Sequence, residues 1–204
     1  MWYYALCAVH LGALPWRSLV VPWSSFCTAL TWTIVGGLVA TGMMPASRTI
    51  LEQLGTVQCV HYAVESASGV TKQRLLHHVV GGGIVYALFD VSEQTWATYA
   101  TFFWTFAIVI NAGSLLVKTV ALRRAIWPST KYDVVEDLLV RINVPWTYTC
   151  YFIEFPTLLY GFTFRNMLYR FILVVQAVMD VQWFVNVNNA RRRYELKRVE
   201  YLYK

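Results

Sequence analysis

Residues 19–43 read LVVPWSSFCTALTWTIVGGLVATGM, 25 consecutive positions without a formal charge, and residues 95–117 read TWATYATFFWTFAIVINAGSLLV, 23 more. A helix that crosses a bilayer needs roughly 20 predominantly apolar residues, so both stretches predict spanning helices. The rest of the chain agrees with them. Of 204 residues, 57% are hydrophobic and 14% charged, where a soluble domain carries about a quarter charged residues. The 9 Trp and 13 Tyr suit rings that settle at membrane–water interfaces. Four further apolar segments follow at 49–68, 75–91, 142–163 and 167–189. Pro45, Gly69 and Trp127-Pro128 break the chain between segments. The expected fold is therefore all-α, a polytopic transmembrane helix bundle of about six spans forming a single domain over residues 1–193. Residues 190–204 should add a basic C-terminal helical tail. Residues 1–15 are apolar but lack the basic region of a secretory signal, and they are expected to lie at the interface or to insert in part.

The net charge of +6 does not point to nucleic acid, because the basic residues sit at the ends of apolar segments. With six spans, 14 of the 17 basic residues fall on one face, among them Arg17, Lys72, Arg74, Lys118, Arg141 and the tail, and only Arg48, Arg165 and Arg170 on the other. That asymmetry puts both termini on the cytosol-like or matrix-like side. Arg123, Arg124, Arg191, Arg192 and Arg193 gather at headgroup level there, where anionic phospholipid such as cardiolipin is expected. In the tail, Leu196, Val199 and Leu202 recur every three residues, which fits either a helix lying on headgroups or a docking helix for a partner subunit. Cys7, Cys27, Cys59 and Cys150 show neither a disulfide framework nor the paired spacing of a zinc site, so no metal is expected.

Ionisable residues at membrane depth default to a functional hypothesis. Here they are His61, Glu65, His77, His78, Glu154 and Asp180. His61 and Glu65 are four apart and share a helix face; together with Glu154 and Asp180 they form the expected intramembrane polar cluster. Adjacent helical residues diverge by about 100°, so His77 and His78 are poorly placed to bind one ion. Four His in the whole chain are too few for a membrane di-iron centre. Two from different helices, such as His61 and His77, could ligate a haem, though no other signature points to one. Gly81-Gly82-Gly83 lacks the flanking strand and Lys-Ser/Thr of a phosphate loop and reads as a site of close helix contact.

The run Lys72-Gln73-Arg74-Leu75-Leu76-His77-His78-Val79-Val80 resembles the basic, apolar, His-His segment of the TLC domain, the family of ceramide synthases and related lipid-handling membrane proteins. Asp180-Val181-Gln182-Trp183-Phe184, followed by Asn188-Asn189 and Arg191-Arg192-Arg193, is similar to that family's last helix and basic tail. Tyr62 and Glu65 stand where the family tends to carry an aromatic residue and an acid. The resemblance covers about residues 47–193 and implies a lipid-handling bundle in which His77 or His78 acts as general base. The acyl-transferring members have a His-Asp-x-x-Asp pattern on the following helix. Here that stretch reads Ile110-Asn111-Ala112-Gly113-Ser114, with no acid, so N-acylation is not what the residues favour.

Three functions remain open at this level. The favoured one is a non-catalytic integral membrane subunit of a larger complex, an accessory subunit of a respiratory-chain or ATP-synthase assembly in the mitochondrial inner membrane. Its partners would be other membrane subunits and lipids, with no cofactor beyond bound phospholipid. The alternatives are a TLC-type N-acyltransferase and a lipid or sterol carrier, both of the endoplasmic reticulum.

Overall fold

The computed structural model describes residues 2–89, 92–128, 133–161 and 167–202. Among the described residues the fold is all-α. Seven helices follow one another: α1 (Trp2–Leu11), α2 (Arg17–Ala40), α3 (Arg48–Ala67), α4 (Lys72–Phe89), α5 (Glu93–Ile126), α6 (Val134–Gly161) and α7 (Met167–Leu202).

Local chemistry sets the helix ends that matter for the interior. Ser47 caps α3 by accepting the Ile50 N–H at 3.3 Å, and Thr71 caps α4 by accepting the Arg74 N–H at 3.3 Å, each supplying a partner for an amide left open by the helix start. Between α3 and α4 the chain reverses at Gly69, whose φ of 88° lies in the left-handed region that side chains avoid. The reversal is tight enough to bring residue 74 back beside residue 65. Asp133 caps α6, accepting the N–H groups of Val135 and Glu136 at 2.9 and 3.0 Å. Glu136 and Asp137 in the first turn complement the positive end of the helix dipole.

Helices α2 to α7 pack as a closed ring in the order α2, α3, α4, α7, α6, α5 and back to α2, while α1 lies outside against α3 and α2. Short connectors make successive helices antiparallel, and the ring order makes every neighbouring pair antiparallel as well. One end of the ring is filled by an apolar core of Trp32, Val35, Leu51, Leu54, Ala100, Trp104, Ala107 and Leu173. The Trp32 and Trp104 rings lie 6.3 Å apart there, and the Trp32 indole N–H donates to Gln58 Oε1 at 2.8 Å. At the opposite end, where Lys72, Trp127 and the tail lie, the interior is hollow and polar.

The helices outrun the apolar runs read from the sequence. α5 continues past Val117 to Ile126, and α6 starts at Val134, ahead of the expected 142. α7 passes from Asn189 into the tail without a break. The apolar stretch at the N-terminus holds the ten-residue α1, packed on the ring. Two helices, Arg17–Ala40 and the Arg170–Leu202 part of α7, are long and apolar enough to cross a membrane by length and composition among the described residues.

Candidate functional site

Glu65 is the centre of the polar interior. Its side chain is fully buried, and both carboxylate oxygens are saturated. Oε2 accepts Arg74 Nε at 2.7 Å and faces His78 Nε2 at 3.0 Å; Oε1 accepts Arg74 Nη2 at 2.8 Å and the Ser25 hydroxyl. Arg74 thus grips the acid with two donors, the geometry that makes guanidinium–carboxylate pairs strong. The same Nη2 also donates to Ser25 Oγ at 2.6 Å, so Ser25 passes the interaction on from cation to anion.

These bonds assign the tautomer of His78. An ionised carboxylate only accepts, so Nε2 carries the proton. Nδ1 is then the acceptor and takes the Ser66 hydroxyl at 3.1 Å. Tyr62 stacks on the same ring with centroids 4.5 Å apart and planes at 21°. A Cβ at Gly81 would collide with the Tyr62 hydroxyl, so this stack exists because residue 81 has no side chain.

A second chain of bonds runs outward to α1. Ser24 Oγ lies 2.8 Å from His10 Nδ1 and 2.8 Å from His61 Nδ1, and His61 Nδ1 is 3.7 Å from Glu65 Oε1. A hydroxyl has one proton, so it donates to one ring and accepts from the other. His10 and His61 must therefore hold opposite tautomers. All 4 histidines of the chain meet here: the His10–His61, His61–His78 and His77–His78 ring centroids are 5.7, 6.0 and 6.0 Å apart. Among the described residues, no group of three or more His, Cys, Asp or Glu side chains converges as metal ligands.

The network forms one wall of a cavity of about 660 Å³ to which every helix of the ring contributes, within the roughly 300–1,000 Å³ of small-molecule sites. Ser25, His61, Glu65, Arg74, His77, His78 and Lys118 give it a polar pole; Val21, Pro22, Ile110, Val117 and Met179 give it apolar sides.

At the rim of the same end, the arginines expected to hold lipid are engaged by acids. Arg124 Nε donates to Glu136 Oε2 at 2.7 Å, Arg123 Nη1 to Glu136 Oε1 at 3.2 Å, and Arg123 Nη2 lies 2.6 Å from Asp133 Oδ2. The Tyr194 hydroxyl donates to Glu136 Oε2 at 3.3 Å, and Arg124 stands 5.1 Å over the Tyr194 ring. This latch ties α5, α6 and the tail together. The Arg123 guanidinium holds the Asp133 carboxyl below its ordinary value, and burial pushes the Tyr194 phenol up to about 12. Arg191 pairs with Glu195 at 2.8 Å, one turn on, while Arg192 and Arg193 are exposed.

Of the residues singled out in the sequence, His61, Glu65, His77 and His78 come together. The side chains of Glu154 and Asp180 lie outside the described residues. Sequence reasoning missed Arg74, Ser24, Ser25, His10 and Lys118. A signal for Arg74 was present: an acid and a base nine apart on either side of Gly69 are what a tight helix reversal brings face to face. No family, curated protein or solved structure matches this chain.

Proposed function

We propose that this chain is a non-catalytic integral membrane protein, a six-span bundle of α2 to α7 with both termini on the basic side. In this reading it carries bound lipid and serves as a subunit of a larger membrane assembly. The observation that carries the proposal is an inversion of polarity. Phe152, Val178, Phe171 and Val181 are 83, 67, 66 and 65% exposed, while Glu65 and His10 are at 0%. Along the apolar part of α7, Leu173 is buried while Val174, Val178, Val181 and Val185 are exposed. In water so large an apolar surface would be unfavourable by about 25 cal/mol per Å²; against acyl chains it is at rest. A buried carboxylate bonded on both oxygens is what a bundle interior demands when the surroundings offer no water.

The absence of chemistry is part of the proposal and draws on the same geometry. A general base needs an uncommitted lone pair, and the His78 lone pair is taken by Ser66 while Glu65 is held on both oxygens. The compartment follows from the assembly, for which an energy-converting complex of the mitochondrial inner membrane is the reading we favour. A second reading, the lipid enzyme that the TLC resemblance implies, draws on the place of His77 in the cavity wall beside His78.

Topology and association test the proposal together. On a background without native cysteines, Trp127→Cys and Leu202→Cys should label from one side of sealed vesicles and Met43→Cys from the other. After mild detergent extraction the chain should migrate on native gels with partner subunits, and His77→Asn should leave that migration unchanged. Labelling of Trp127→Cys and Leu202→Cys from opposite sides would sink the six-span arrangement, and migration as a lone chain would sink the subunit role.

A further inference from the structure

We propose that the cavity binds a single-chain amphiphile with one anionic head, the head held by Lys118 and Arg74 and the chain lying along the apolar wall. The inference rests on the reading of the chain as a lipid-bearing membrane protein and names the class of lipid.

Charge on the wall calls for the head. Among the described lining residues the carboxylate is Glu65 and the cations are Arg74 and Lys118. Arg74 neutralises Glu65 through the contacts given above, which leaves Lys118 as the positive charge without a counter-charge among those described residues. Lys118 is half-buried and has neither an ion-pair nor a hydrogen-bond partner among the described residues. A cation in such a place is unfavourable unless a counter-charge joins it. Arg74 also keeps Nη1 without a bond among the described residues, so two cationic donors border the same space. A carboxylate or a phosphate monoester answers both.

Shape calls for one chain. The α5 lining runs from Ile110 to Ala121, about 16 Å at about 1.5 Å per residue, so the cavity is a slot along the helix axes. At about 660 Å³ the slot is within the roughly 300–1,000 Å³ of small-molecule sites, which suits one long acyl chain with its head. The polar pole lies at the end where Lys72, Arg123 and Arg124 lie, so a head entering from the headgroup layer of the basic face reaches Lys118 while its chain runs inward past Val117 and Ile110.

The test uses the purified full chain in a nonionic detergent, with native mass spectrometry and competition against a fluorescent fatty acid. The probes are oleate, oleoyl lysophosphatidate, oleyl alcohol, dioleoyl phosphatidate, acetate and inorganic phosphate. We expect one oleate or one lysophosphatidate per chain, whichever binds more tightly naming the head as carboxylate or phosphate. Oleyl alcohol, lacking the charge, should bind at least about tenfold more weakly, and acetate and phosphate, lacking the chain, should not compete. Lys118→Gln should weaken the anionic probes at least about tenfold while leaving oleyl alcohol unchanged, and Lys118→Arg should restore them; the alcohol arm reports that the variant still folds. Oleate bound equally by wild type and Lys118→Gln, or dioleoyl phosphatidate bound as tightly as oleate, would overturn the inference. If binding fails while the two-sided labelling pattern holds, the inference falls alone; if the labelling fails, the membrane reading on which it rests falls first.

Discussion

Removing Arg74 should destabilise the bundle more than removing the charge of its partner, and removing both should cost far less than the sum. In the Arg74→Met protein, Glu65 stays buried at 0% exposure with Ser25 and His78 as remaining partners. Stripping one member from a buried pair costs about 3–5 kcal/mol. The Arg74 side chain is 39% exposed, so water screens its outer edge, and the lower end, about 3 kcal/mol, applies. Glu65→Gln leaves a guanidinium that can turn toward solvent, and the loss there is that of charge-assisted hydrogen bonds, about 2 kcal/mol. The double variant orphans no charge and should lose about 3 kcal/mol, a coupling of about 2 kcal/mol between the sites. At about 2–4 °C per kcal/mol for a chain of this size, thermal unfolding followed by gel filtration in detergent should show midpoints lower by about 6–12 °C for Arg74→Met and about 4–8 °C for Glu65→Gln. The double variant should resemble Arg74→Met. Additive shifts, or a shift below about 2 °C for Arg74→Met, would refute the claim that this pair organises the interior.

Three more expectations follow from contacts elsewhere. Gly81→Ala should destabilise by about 1–3 kcal/mol because its Cβ meets Tyr62, whereas Gly82→Ala, with nothing within 4 Å of its Cβ, should be neutral or stabilising by up to about 1 kcal/mol of helix propensity; melting curves of the two variants decide it. Glu136→Gln removes the negative charge and one of the two acceptor oxygens that serve Arg123, Arg124 and Tyr194, and a loss of about 1 kcal/mol makes release of the tail about fivefold more frequent, measurable as faster hydrogen exchange over residues 190–202. The Asp133 carboxyl titrates below its ordinary 3.8 in the folded protein, so its contribution is complete above that value and is lost as the pH falls through the lowered one. Tail exchange, corrected for its intrinsic pH dependence, should therefore rise below about pH 4, and Asp133→Asn should remove that part of the rise.

The apolar runs made the helices legible and hid their ends. Hydropathy marks where a helix is apolar, and α5 carries on through Lys118, Arg123 and Arg124 because these residues are good helix formers and the last two are held by Glu136. α6 begins early for a reason of capping: Asp133 satisfies its first amides, and Glu136 and Asp137 suit its positive end. His61 and Glu65 were legible as neighbours because helical spacing fixes four-apart contacts regardless of the tertiary fold. Arg74 was not, since a basic residue ahead of an apolar segment reads equally well as a topology signal, and only the reversal at Gly69 turns it inward. Ser24, Ser25 and His10 give no pattern at all. Their roles depend on which faces of α1, α2 and α3 meet, which one sequence does not encode locally. For His77 and His78, the divergence of adjacent residues separates their surroundings: one ring is bonded to Glu65 and Ser66, and the other borders the cavity.

The two ends of the ring limit what the protein can do. The Trp32, Leu51, Leu54, Trp104 and Leu173 cluster fills the interior at one end, while the 660 Å³ cavity and its polar network occupy the other. Among the described residues, that filled end holds the Trp32 and Trp104 rings 6.3 Å apart and the Trp32–Gln58 bond; on the membrane reading, a lipid entering at headgroup level on the other side disturbs neither. Nor does Glu65 require a visiting substrate, since Arg74, His78 and Ser25 already bond its two oxygens. Among the described residues of that wall, Lys118 and Arg74 Nη1 have no such bond, and a ligand can meet them without disturbing any bond already made. On that reading, the bonds among the described residues hold the interior's shape with the cavity empty, and the anionic ligand proposed above would add a counter-charge without breaking them.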